Sequence, residues 1–150
     1  MQTALRQAYR GVRKDEGGPF GACLVHRGKI LASSHNRVLK THDATAHAEM
    51  NVLRRACRLL KRWDLSGCTM VTTTEPCPMC FSAIHWARIP VVVYGTSIKD
   101  VQHLGFNEIP LSAVQINRRS GGNVRLIGGV MLQECRQLLE YWEGLSRKVY

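Results

Sequence analysis

No apolar run in this 150-residue chain approaches the roughly 20 residues that a membrane-spanning helix requires. The first residues, Met1 to Tyr9, lack the apolar core of a secretion signal. Internal repeats and low-complexity segments are also missing, which excludes solenoids and compositionally disordered chains. Acidic residues are scarce: 11 stand against 21 Lys and Arg, giving a net charge of +10 and a pI near 9.8. That balance would favour polyanionic partners. The basic residues are nevertheless spread along the chain, without an aromatic-interleaved stripe. His26, His35, His42, His85 and His103 have no partner at metal-binding spacing and read as structural or surface residues. Of six cysteines, Cys23, Cys57, Cys68 and Cys135 fall in apolar periodic segments and read as small buried hydrophobes. A reduced, cytoplasmic setting fits that usage. The length predicts one domain over residues 1–150, large enough to bury roughly two-thirds of its unfolded surface.

Two short motifs carry the chemistry. His47-Ala48-Glu49 is followed by Pro76-Cys77-Pro78-Met79-Cys80, supplying one imidazole and two thiolates. Three protein ligands leave a fourth tetrahedral position open on zinc, the arrangement of a catalytic centre and not of a structural one. Zinc lowers the pKa of a bound water from about 15.7 to about 7. A carboxylate beside it can collect the water proton and deliver it elsewhere; Glu49 is the candidate. A lone H-x-E is ordinarily a surface accident, and a lone C-x-x-C is equally a redox pair, a half-site or two buried thiols. In this order, with a proline before each cysteine's turn, the two point to one site.

The periodicity places both motifs at helix starts. Residues 46–62 read as an amphipathic helix with Leu53, Ala56, Cys57 and Leu60 on one face, capped by Thr45 or Asp43. Cys68 to Thr74 reads as a buried strand, and Met79 to Arg88 as the second site helix. Thr3 to Lys14 and Leu132 to Leu145 read as flanking helices, the latter with Leu138, Leu139 and Trp142 inward. Gly21 to His26 and Lys29 to Ser33 form a hairpin around Arg27-Gly28; Val91 to Tyr94 and Val124 to Ile127 complete five strands. The segment 108–123 reads as a surface loop. This alternation predicts an α/β three-layer α/β/α sandwich around a central mixed five-stranded sheet.

Gly18-Pro19-Phe20-Gly21-Ala22, Asn36-Arg37-Val38, Asp43 to Glu49 and Thr74 to Cys80 together resemble the cytidine and deoxycytidylate deaminase superfamily. Within it, Gly17 to Ala22, Ala83-Ile84-His85-Trp86-Ala87-Arg88, Gly105-Phe106-Asn107-Glu108 and the terminal Tyr150 are similar to bacterial guanine deaminases. The resemblance implies one Zn2+ per subunit on His47, Cys77 and Cys80, and hydrolysis of guanine to xanthine and ammonia with Glu49 as proton carrier. It implies that Asn36 hydrogen-bonds the purine and that Glu108 helps to recognise the base and manage protons. Phe20 is a candidate to stack on a planar base, and Ala48 is a further candidate substrate contact. Asn107 stands where relatives commonly carry aspartate. It also implies a homodimer in which the C-terminal segment crosses over and Tyr150 closes the neighbour's pocket. Trp86 reads as core, as large rings usually are.

Two other readings compete. The transfer-RNA adenosine deaminases share the zinc motif and are commonly basic, and cytosine, guanosine or an amino-triazine are further substrates of the same chemistry. A zinc-stabilised nucleic-acid-binding module would need only the ligands and the charge, leaving Glu49 dispensable.

Overall fold

The computed structural model describes residues 1–145, Arg147 and Val149. Chain order is α1 (Gln2–Arg13), β1 (Gly21–His26), β2 (Lys29–His35), α2 (Val38–Thr41), α3 (Ala48–Leu60), β3 (Cys68–Thr74), α4 (Pro78–Trp86), β4 (Val91–Thr96), α5 (Ile98–Gln102), α6 (Ala113–Arg119), β5 (Arg125–Ile127) and α7 (Leu132–Glu143). One five-stranded sheet runs β2-β1-β3-β4-β5. β1 is antiparallel to both β2 and β3, while β3, β4 and β5 are mutually parallel. The expected mixed three-layer sandwich is therefore what forms.

Each layer follows from residue spacing. Ala4, Leu5, Ala8, Gly11 and Val12 bury one stripe of α1, the recurrence of an amphipathic helix. With α7, that stripe covers one face of the sheet, where Val12 meets Leu139 and Trp142 while Leu5 and Ala8 meet Cys135 and Leu138. On the other face, Val52 and Leu53 of α3 and Phe81 and Ile84 of α4 pack on Leu24, Met70 and Val92. β3 lies between two strands and under two helix layers, so its sequence is almost uninterruptedly buried. The β1–β2 hairpin turns on Arg27 and Gly28, both at positive φ, the backbone of a two-residue type I′ turn.

The structure departs from three expectations. The segment 108–123 is not all loop: α6 forms within it, begun by a capping box in which the Ser112 hydroxyl accepts from the Gln115 N–H and the Gln115 side chain accepts from the Ser112 N–H. Trp86 is not core; it is 79% exposed on the outer side of α4, near an exposed Trp63. Cys57 is half-buried, while Cys23, Cys68 and Cys135 are buried as expected. Among the described residues no helix is long and apolar enough to cross a membrane.

Candidate metal centre and active site

The two motifs are brought together by two helix starts. His47 is the N-cap residue of α3 and Cys77 the N-cap residue of α4, both with extended backbone. Neither Thr45 nor Asp43 caps α3. Asp43 instead accepts from the Thr45 N–H (2.8 Å) and hydroxyl (2.7 Å), folding the approach to His47 into a local turn. Pro78 occupies the first position of α4, where a missing N–H costs nothing. Cys80 follows two residues later, in the same turn. β3 leads directly into this corner, so the second motif leaves the end of a central strand. The partial positive charge of both helix starts therefore points toward the thiols.

One ligand atom from each of His47, Cys77 and Cys80 lies within 4.8 Å of the others. His47 Nδ1 is 3.6 Å from Cys77 Sγ and 3.5 Å from Cys80 Sγ. The Cys80 S–H donates to Cys77, and this, with the His47 imidazole, holds the Cys77 thiol down to about 4. The same donation, together with burial, pushes the Cys80 thiol far above its ordinary value. Protein groups alone thus stabilise one thiolate of the pair; a second beside it calls for a cation. A soft donor set of two sulfurs and one imidazole nitrogen suits zinc. The residues fit the metal.

Glu49 is buried, and Thr72 Oγ1 stands 3.4 Å from its Oε1. Burial first, and then the neighbouring Cys77 thiolate, push this carboxyl up to about 7. A cavity of about 280 Å3 opens against His47 and Cys77 and is walled by Phe20, Asn36, Phe106, Asn107 and Glu108. The Glu108 carboxyl is raised by burial and by Cys77. Phe20 packs edge-on against Phe106 at 5.1 Å between centroids, and both rings line the cavity. Asn36 is buried, and its Oδ1 accepts from the Val38 N–H at 3.1 Å. It therefore shapes the turn after β2 and also faces the cavity. Ala48 is fully buried and does not line the cavity; its available group is the N–H of the first residue of α3. Tyr150 lies outside the described residues. Arg147 pairs with Asp15 (2.9 Å), and Val149 packs beside Phe106 and Trp142.

Sequence reasoning passed over Glu75. Its buried carboxylate accepts from the Ile98 N–H (3.2 Å) and the Ala113 N–H (2.8 Å), the first residues of α5 and α6. One side chain thus ties both helix starts to the turn that carries Cys77. Its only sequence signal is its place directly before the second motif, where it reads as a mere flank.

Fold and site together define a zinc-type deaminase. Residues 1–96 match the cytidine and deoxycytidylate deaminase zinc-binding region, and the chain belongs to that family. It is similar to the guanine deaminase of Bacillus subtilis (strain 168), 42% identical over 108 residues that span 72% of this chain and 69% of that protein. It is also similar to the tRNA-specific adenosine deaminase of the same strain, 34% identical over 149 residues, 99% of this chain and 89% of that one. Among solved structures, a guanine deaminase from Nitrosomonas europaea superposes with a TM-score of 0.87 at 29% identity, over 95% of this chain and 82% of that one.

Proposed function

We propose that this deaminase acts on a free purine base, converting guanine to xanthine and ammonia. The observation that carries the reading is the cavity itself: the ligand pair His47 and Cys77 shares its walls with Asn36, Phe20 and Glu108. At about 280 Å3 it is at the small end of ligand pockets, the size for a single base. His47, Cys77 and Cys80 hold one Zn2+ per subunit, which when bound supplies acidified water. With the metal bound, Glu49, the buried carboxyl beside the ligands, would carry two protons in succession: the first from the water to the ring nitrogen as oxygen adds to the carbon, the second from the added hydroxyl to the amine as the C–N bond breaks and ammonia leaves. Asn36 offers both a donor and an acceptor to an amide-like base edge. Glu108 accepts from the purine N–H groups, and the Phe20 ring covers the base. The likeness to guanine deaminases from two organisms supports the substrate class.

Editing of adenosine in tRNA is the second reading, favoured by the +10 charge and by the likeness along 99% of the chain to a tRNA-specific adenosine deaminase. Ammonia release from guanine, guanosine, cytosine, adenine, an amino-triazine and an RNA anticodon stem-loop separates the two. Guanine turnover without RNA turnover is expected; activity confined to the RNA sinks the guanine reading.

The same proposal includes a homodimer and a reducing, cytoplasmic setting, the latter supported by Cys23, Cys57, Cys68 and Cys135, none of which forms a disulfide. The outer face of α3 and α4 presents Trp63 and Trp86 around an apolar hollow of about 730 Å3 floored by Met50, Leu53, Ala83 and Ala87. Contiguous exposed apolar surface of this kind marks association sites.

A further inference from the structure

Glu16 is a buried carboxylate in a segment that the zinc chemistry does not use. Its Oε2 lies 2.6 Å from His35 Nε2, and its Oε1 lies 2.5 Å from Lys40 Nζ. Its backbone carbonyl accepts from the Lys40 N–H at 3.1 Å, and Arg37 Nε approaches Oε2 at 3.9 Å. The partners His35, Arg37 and Lys40 bracket Asn36. The next residue, Gly17, backs onto Asn36 so closely that a Cβ there would stand 2.2 Å from Asn36 Oδ1. Gly11 likewise leaves room for the His35 ring, which a Cβ would meet at 2.5 Å. From the other side, the Phe20 carbonyl accepts the Asn36 N–H at 2.9 Å, and Asn51 of α3 donates to the His35 carbonyl at 3.2 Å.

We propose that Glu16 is a positioning residue for base recognition: by gripping the chain on both sides of Asn36, its carboxylate fixes that amide in the cavity wall. At His35, whose ring is buried, the cost of leaving a donor without its partner makes the grip rigid. His35 and Lys40 reach Glu16 from opposite ends of the segment, so releasing the carboxylate loosens both ends together, leaving the Lys40 N–H on the Glu16 carbonyl and the His35 carbonyl on Asn51. A loosened segment would let the Asn36 amide rotate away from the base while the metal ligands on α3 and α4 stay in place. Glu16 then acts through Asn36, on the binding of the base and not on the proton transfers at Glu49. The inference rests on the reading of Asn36 as a base contact.

Kinetics on guanine with zinc-loaded Glu16→Gln, Asn36→Ala and the double variant test it, alongside the Asn36 side-chain amide signal by NMR. Glu16→Gln is expected to raise KM about tenfold with kcat nearly unchanged, the pattern of lost binding that is uniform through the reaction. In the double variant KM should not exceed that of Asn36→Ala, because coupled residues are not additive. The amide signal should shift in Glu16→Gln even without substrate. A loss confined to kcat or to zinc content, multiplicative KM effects, or an unmoved amide signal overturns the proposal. A shifted amide with no KM effect in Asn36→Ala sinks only the base-contact reading on which it rests. Should Glu16→Gln fail to fold, Lys40→Met, which removes an exposed partner of the same carboxylate, carries the same expectations.

Discussion

Glu49 and Glu16 are both carboxyls taken out of water, and their surroundings drive them in opposite directions. Glu49 is raised by burial beside a thiolate, which suits a group that must accept and release a proton. Glu49→Gln keeps the shape and, on the proposed mechanism, removes the proton carrier. Ammonia release should fall by roughly 10²–10⁴-fold, while metal analysis finds zinc retained; unchanged turnover would remove Glu49 from the mechanism. Glu16 is held down to about 2, first by the Lys40 ammonium and then by His35, against the opposing effect of burial. A depressed carboxyl stabilises the fold fully above its ordinary value of about 4.3 and loses that contribution as pH falls toward the folded value. Urea unfolding of wild type and Glu16→Gln should therefore show a stability gap at pH 7 that narrows at pH 3. A gap of constant size would mean the pairing is not electrostatic.

At the scale of elements, the site is a meeting of helix starts. α3 and α4 supply the ligands from their caps and first turn, and α5 and α6 are tied to the same corner through Glu75. Replacing Glu75 by Ala leaves two buried N–H donors without an acceptor, at about 1–3 kcal/mol each. Thermal unfolding should occur at a clearly lower temperature, with the loop bearing Phe106 and Glu108 losing hydrogen-exchange protection first; an unchanged melting temperature would show that Glu75 caps neither helix. The strands and the two ligand helices were legible because burial imposes a period on their sequences. β3 is an unbroken apolar and β-branched run, and α1 repeats its small residues every turn. α6 was missed because it is seven residues long with one buried position, too short for a period to show. Its Ser112-x-x-Gln115 start was legible all the same. Capping of α3 was misjudged because the ligand His47 itself takes the cap position.

At the scale of the whole molecule, Trp86 is where hydrophobicity and burial part. Its hydrophobicity matches core, yet the fold turns it outward beside Trp63, where Arg88 stacks on the Trp63 ring at 4.8 Å. A residue buried only by a second subunit has the same sequence signature as one buried by its own. If the α3–α4 face is the homodimer surface, Trp86→Glu should sediment as a monomer while wild type sediments as a dimer. Two dimers, or two monomers, would detach this face from assembly. The motif itself was legible because zinc restricts residue type and order so tightly; the substrate was less so, since the cavity wall draws Phe20, Asn36, Phe106 and Glu108 from distant parts of the chain. The most direct test of the account is the product released from guanine by the zinc-loaded protein, measured as xanthine and ammonia together. Equal amounts of both, abolished in Glu49→Gln, are predicted. Release of neither from guanine, with inosine formed in an anticodon stem-loop, would contradict it.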